Sequence, residues 1–202
     1  MNDTKSMIGN ALVLFAITLV AGVLLGLVYQ VTKDPIAYQD KLAQDRANRS
    51  VFEQAEGFED VELNAGAANA AVSDLTGVVI EDIKEAKDAS GAGLGYVIRV
   101  SSKGYGDFIT YTIGITNDGK VNGISIISIA ETPGLGMNAE KVIVPQFKDK
   151  EAQQFTVVKN GQVTSPSSQI EAISGATITS RAITNGANAA ITYFENVLKG
   201  GQ

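Results

Sequence analysis

The residues best placed to do chemistry form the run Ser174-Gly175-Ala176-Thr177-Ile178-Thr179-Ser180. It sets four hydroxyls around two small residues, directly before a segment with helical apolar spacing. Gly175 and Ala176 let the backbone approach a bulky group closely. The free N–H groups and the positive end of the following helix favour a phosphate there. A threonine hydroxyl at that place can carry a phosphoester whose charge the helix end holds. The same residues can equally do no more than cap a helix, with Thr179 or Ser180 as the natural N-cap. A second element, Glu131-Thr132-Pro133-Gly134-Leu135-Gly136, follows a strand pattern. Pro-Gly favours a type II turn. Such a loop either presents backbone amides to a flat polar ring or simply ends a strand.

Composition narrows the chemistry. The 202 residues include no His, no Cys and no Trp. Disulfides, thiolate metal sites and iron–sulfur ligation are excluded. The usual general base and the commonest transition-metal ligand are missing too. No spaced acidic loop of the calcium type is present. The chain is therefore expected to hold no metal and to have no catalytic side chain of its own, so a redox role needs a borrowed group. A formal charge of −6 argues against nucleic acid as a partner.

These residues must be positioned by the rest of the chain. From Ser6 to Thr32 there is no charged residue. At about 1.5 Å per residue the core Ile8–Tyr29 reaches roughly 33 Å, enough for a bilayer core of about 30 Å. It is longer than the apolar region of a signal peptide and has only Lys5 as a basic side chain before it. An uncleaved transmembrane helix over residues 1–32 is expected, in contact with the lipid bilayer. Lys33, Lys41, Arg46 and Arg49 follow it, but interspersed Asp residues leave orientation unsettled by charge.

Residues 33–60 read as a juxtamembrane helical linker, with Asp34 as N-cap, Pro35 as an early helix position and Gly57 as its end. Residues 62–74 are Ala-rich and fit a short helix or a loop. Strand patterns follow at Thr76–Ile83, Gly95–Ser101 and Phe108–Thr116, where Ile109, Tyr111, Ile113 and Ile115 share one face. Asn117-Asp118-Gly119-Lys120 is a hairpin turn. The returning strand Val121–Ile129 shifts its apolar set part-way, which marks a bulge. A short helix fits Glu140–Lys150, and extended segments fit Phe155–Val158 and Ile170–Ile173. The last segment, about Ser180 to Lys199, has Ile183, Ala187, Ala190, Ile191, Phe194, Val197 and Leu198 at helical spacing, with Gly200-Gly201 as its stop. The fold class is α+β: an antiparallel sheet with packed helices over 61–202, after a membrane helix and linker.

The two motifs together resemble the FMN-binding domain of the Rnf and sodium-pumping NADH:quinone oxidoreductase families. Gly104-Tyr105-Gly106, the tract Asn117 to Ile124, Gln146-Phe147-Lys148 and Ile170 to Thr177 are also similar to the family's patterns. The chain's length and single N-terminal helix are similar to those of the RnfG family of the Rnf complex. The resemblance implies FMN as cofactor, joined through its phosphate to Thr177 by an FMN transferase that takes it from FAD. It places Ser174, Gly175, Ala176 and Thr179 around that attachment. It sets Glu131, Thr132, Gly134, Leu135 and Gly136 beside the isoalloxazine ring. It implies an electron carrier, working with the other subunits of a membrane-bound ferredoxin:NAD oxidoreductase that moves Na+ or H+. The N-terminus would be cytoplasmic and the FMN domain on the outer face of the cell membrane. Two departures stand out: Glu171 replaces the usual Asp before the motif, and the His often found before ETPGLG is absent. The alternatives are the C component of a sodium-pumping NADH:quinone oxidoreductase and a bitopic structural or binding protein without a flavin. The uncharged N-terminal run predicts that the protein sediments with membranes until detergent is added. Full recovery in the soluble fraction after cell lysis would contradict it.

Overall fold

The computed structural model describes residues 2–199. Contacts divide the chain into one unit up to Ala43 and another from Gln44 onward. A single helix, α1, runs Asn2–Val51. Its apolar stretch is unburied, with Leu25 71% and Val31 74% exposed. It is long and apolar enough to cross a membrane. The expected restart of helix at Pro35 does not occur: Pro35 lies inside α1. Proline has no N–H to give, but its φ is helical, so an exposed helix can run through it at the loss of one hydrogen bond. The helix also stops at Val51, ahead of Gly57, which instead opens a strand.

The second unit is built on a six-stranded antiparallel meander in which sequence neighbours are also sheet neighbours. The strands are β1 (Gly57–Val61), β2 (Val78–Lys87), β3 (Gly93–Lys103), β4 (Phe108–Thr116), β5 (Lys120–Ser128) and β6 (Lys150–Glu151). The edge strand β1 has no legible sequence pattern, since GFEDV does not alternate. Short α2 (Ala65–Ala71) forms in the Ala-rich stretch, capped by Asn64 Oδ1 accepting from Ala67 N. The expected bulge is present twice. The β4–β5 register slips between Thr110 and Tyr111 and between Gly114 and Ile115, leaving Ile127 and Asn122 as the extra residues on β5. A turn region with α3 (Ala139–Val142) leads to β6, and a parallel pair, β7 (Thr156–Val158) with β8 (Gln169–Glu171), precedes the last helix.

Both faces of the sheet are covered. On one, Ile109, Tyr111, Ile113 and Ile115 of β4 are completely buried under α4, Thr177–Tyr193, which continues as a π-helical turn through Leu198. The predicted stop at Gly200-Gly201 lies outside the described residues. On the other face, Val51, Phe52 and Ala55 pack against Ala86 and Val97. A Cβ at Gly114 would stand 3.0 Å from both Phe52 Cε2 and Val51 Cβ. Within residues 33–60, read from the sequence as a helical linker, nothing marks Val51 and Phe52 as a cover for the sheet, so this second cluster is a feature of the tertiary structure alone.

The contact of α4 with the sheet is close. Tyr111 Oη donates to the Ile183 carbonyl at 2.6 Å. Burial pushes the Tyr111 phenol far above its usual pKa, so it remains a donor. A Cβ on Gly186 would collide with that phenol oxygen and with Ser102 Oγ, and would sit 2.8 Å from Val100 Cγ1. Gly186→Ala is accordingly expected to destabilise the protein by about 1–3 kcal/mol. Thermal unfolding should show a lowered Tm, and adding Tyr111→Phe should recover part of the loss.

Candidate functional site

The loop after β5 and the start of α4 meet at one cleft. It has a volume of about 550 Å³ and is lined by Tyr105, Glu131, Thr132, Leu135, Gly136 and Gly175–Thr179. The Pro-Gly turn forms as expected. Leu135 N donates to the Thr132 carbonyl at 3.1 Å, and Gly134 takes φ +77°. That φ is the type II requirement at this position. Asn138 Nδ2 then donates to the Gly134 carbonyl at 2.8 Å, which braces the loop from below. Gly175 also sits at φ +77°, where a side chain is strained, and its missing side chain leaves Leu135 facing the motif.

The hydroxyls of the run separate sharply in environment. Ser174 and Thr177 are exposed, whereas Thr179 and Ser180 are buried. Ser180 Oγ donates to the Ala176 carbonyl at 2.9 Å and accepts from Ile173 N at 3.0 Å. Thr179 Oγ1 donates to Glu131 Oε2 at 2.5 Å. Neither caps the helix as expected. The N-cap position is Ala176, which has no side-chain hydrogen bond to offer. The hydroxyls expected to cap lie one turn in and are spent on tertiary contacts. As in any α-helix, the first N–H to find a carbonyl is the fourth, here that of Ser180, to Ala176 O at 3.1 Å. Those of Thr177, Ile178 and Thr179 have no backbone partner among the described residues. No acidic side chain stands in the first turn. The end of a 17-residue helix is thus open to an anion beside the Thr177 hydroxyl.

Glu131 ties the cleft together. Its Oε1 accepts from Gly106 N at 2.9 Å, while Oε2 takes the Thr179 hydroxyl. One carboxylate therefore joins the Gly104–Gly106 tract, the Pro-Gly loop and α4. A Cβ at Gly136 would lie 2.7 Å from Glu131 Cβ and from Thr179 Oγ1, and one at Gly104 would collide with Glu131 Oε1. Glycine at both places is what lets the three segments close on the carboxylate.

Of the residues expected at the site, Thr177, Gly175, Ala176, Thr179, Glu131, Thr132, Leu135 and Gly136 line the cleft, and Ser174 and Gly134 do not. Tyr105 and Ile178 line it as well, beyond the residues that the sequence assigns to the site. The Gly104-Tyr105-Gly106 tract is the signal for Tyr105; nothing marks Ile178 beyond its place in the run. Glu171 is elsewhere. Its carboxylate accepts from Gly161 N in the turn after β7, and its backbone N–H donates to Gln146 Oε1 at 2.7 Å. It holds the β7–β8 pair. Among the described residues no three Asp or Glu side chains gather to hold a metal.

The donor set suits a flat ring with a phosphate tail. Tyr105, Leu135 and Ile178 offer apolar walls, the helix end offers N–H groups, and Thr177 offers an accessible hydroxyl. Comparison with known proteins agrees. Residues 104–192 match the family model of the FMN-binding domain, and residues 1–51 match that of the RnfG N-terminal region. The G subunit of the Na(+)-translocating ferredoxin:NAD(+) oxidoreductase complex of Acetobacterium woodii is 34% identical over 98% of this chain and 96% of its own. The chain belongs to the RnfG family. Another member, the G subunit of the ion-translocating oxidoreductase complex of Methanosarcina acetivorans, is 30% identical, covering 96% of this chain and 97% of its own. A crystal structure of the C subunit of the Na(+)-translocating NADH-quinone reductase from Parabacteroides distasonis superposes with a TM-score of 0.60 at 19% identity, covering 83% of this chain and 97% of that one. That likeness shows the fold.

The clamp at Glu131 makes a stability prediction. Thr179→Ala removes one of two donors to a buried carboxylate and is expected to cost about 1–3 kcal/mol. Thr179→Ser, which keeps the hydroxyl, should cost less. Tm values of the two variants against the unaltered protein check the order.

Proposed function

We propose that this chain is the flavin-bearing electron-transfer subunit of a membrane-bound ferredoxin:NAD oxidoreductase that couples electron flow to movement of Na+ or H+. The observation that carries the reading is the Thr177 hydroxyl, exposed at the cleft on the N-terminus of α4, which no side chain caps. The RnfG relatives give the complex and its reaction.

In this reading an FMN transferase moves the FMN phosphoryl group of FAD to Thr177 Oγ1: the pyrophosphate bond of FAD breaks, AMP leaves, and the hydroxyl gives up its proton. The choice of hydroxyl follows from position: Thr179 and Ser180 are engaged inside the fold, Ser174 is exposed but does not line the cleft, and Thr177 is exposed and lines it. The N–H groups of Thr177, Ile178 and Thr179 offset the charge of the phosphoester. Leu135, Ile178 and Tyr105 hold the flat ring and exclude water from it. FMN supplies the electron chemistry, accepting two electrons and releasing them singly. No side chain of this chain needs to move a proton for that relay. The covalent tether fixes the distance to the next centre and prevents loss of the flavin. The apolar helix anchors the chain through a single pass, with the N-terminus cytoplasmic and the FMN domain on the outer face, beside the other subunits.

Intact mass after co-expression with an FMN transferase tests the anchor. The unaltered chain and Thr177→Ala should differ by one FMN phosphoryl adduct, lost in the variant, and Thr179→Ala should keep it. Ultraviolet fluorescence of the denatured band in a gel gives the same answer independently. An adduct that persists without Thr177 would refute the assignment.

A further inference from the structure

Glu131 is the one charged side chain among the buried described residues, at 7% exposure. It lines the cleft. Buried carboxylates are ordinarily paired with a cation. This one is not: the ion pairs among the described residues join Lys84, Lys87, Arg99, Lys103 and Lys120 to other carboxylates. Its two oxygens instead accept from neutral donors, Gly106 N–H and the Thr179 hydroxyl. Both donors can serve the ionised form, the hydroxyl turning its hydrogen toward the carboxylate, and hydrogen bonds accepted by the charged form favour it. The structure thus places a carboxyl group, without a counter-ion, in the wall of the cleft.

We infer that Glu131 sets the reduction potential of the flavin bound in this cleft, by keeping an uncompensated negative charge beside the ring. The inference rests on the flavin reading above. Reduction of the ring by two electrons can proceed with two protons, leaving no added charge, or with one proton, leaving one negative charge. A carboxylate in the wall repels the second product and leaves the first unaffected, apart from dipoles. It therefore lowers the potential in the pH range where one proton is taken up. It also extends to higher pH the range where two are taken up. The charge acts through space, so Glu131 is a positioning residue and touches no bond that is made or broken.

The other charged and titratable groups on the packed elements do not cancel it. Tyr105 is the remaining titratable side chain lining the cleft, and it is 70% exposed. Lys103 and Asp107 flank the glycine tract as a solvated pair, Nζ to Oδ1 at 3.7 Å. Arg181 on α4 and the neighbouring Glu140 and Lys141 on α3 are exposed, where solvent screens them.

The test is potentiometric titration of the full-length, flavin-loaded protein in detergent across the pH range, comparing it with Glu131→Gln and Glu131→Asp. The glutamine can accept from Gly106 N–H and donate to Thr179 Oγ1, so it removes the charge while keeping the clamp. We expect its midpoint potential to rise at alkaline pH. The pH at which the slope changes from two protons to one should fall by about one unit or more. Glu131→Asp, which keeps the charge, should stay with the unaltered protein. Potentials of Glu131→Gln that match the unaltered protein at every pH overturn the inference. So does a glutamine variant that folds with an unchanged Tm yet takes up no flavin, which would give the carboxylate a role in attachment. An unaltered protein that never carries flavin overturns the flavin reading itself, and its intact mass distinguishes that failure from the first two.

Discussion

The close seat of α4 on the β3–β4 face is the constraint from which the site follows. Gly186 removes the side chain that would hold the helix away, and Tyr111 reaches across to the Ile183 carbonyl. Ile183, Ala187 and Ile191 are then completely buried against the sheet. Small residues on the helix let its axis come near, and dispersion and apolar burial reward that approach. Once the helix is fixed in this way its N-terminus has one place to be, beside the loop that leaves β5.

At that place the polar groups are arranged so that one position stays open. A helix start flanked by four hydroxyls is expected to be capped, and this one is not. Thr179 is spent on Glu131 and Ser180 on the turn before it, so the end of the helix faces the cleft with its N–H groups free. An uncapped helix end costs stability in isolation. Its persistence here is coherent with a phosphate group completing it, as the proposed attachment at Thr177 would do. Glu131 has the same character. A buried carboxylate held only by neutral donors is costly, and the cost falls in the wall of the cleft, where an electrostatic effect on a bound ring would be largest.

Much of this is legible in the residues. The 22-residue apolar core of the N-terminal run, the alternation in β4, the Asn117–Lys120 turn and the bulged return in β5 each follow from a local period or a turn preference. Those signals survive into the fold because each is decided within a few residues. The Pro-Gly turn at Thr132–Leu135 is of the same kind. By contrast, Pro35 carries the signal of a helix start yet lies inside α1, since whether a helix runs through proline depends on one hydrogen bond, not on a pattern. Strand β1 and the packing of Val51 and Phe52 on the back of the sheet leave no periodic trace. Their burial is set by what covers the second face.

The long apolar N-terminal helix, the α+β class, the β4–β5 hairpin and the two motifs that carry the resemblance are legible in the residues alone, because they are properties of short, contiguous stretches. It takes the packed fold to bury Thr179 and Ser180 while leaving Ser174 and Thr177 exposed, to leave the helix start without a side-chain cap, and to set Glu131 between Gly106 and Thr179 without a cation. Glu131 and Thr179 are 48 positions apart in the chain. Their meeting depends on how closely a helix sits on a sheet, and no local preference encodes that distance.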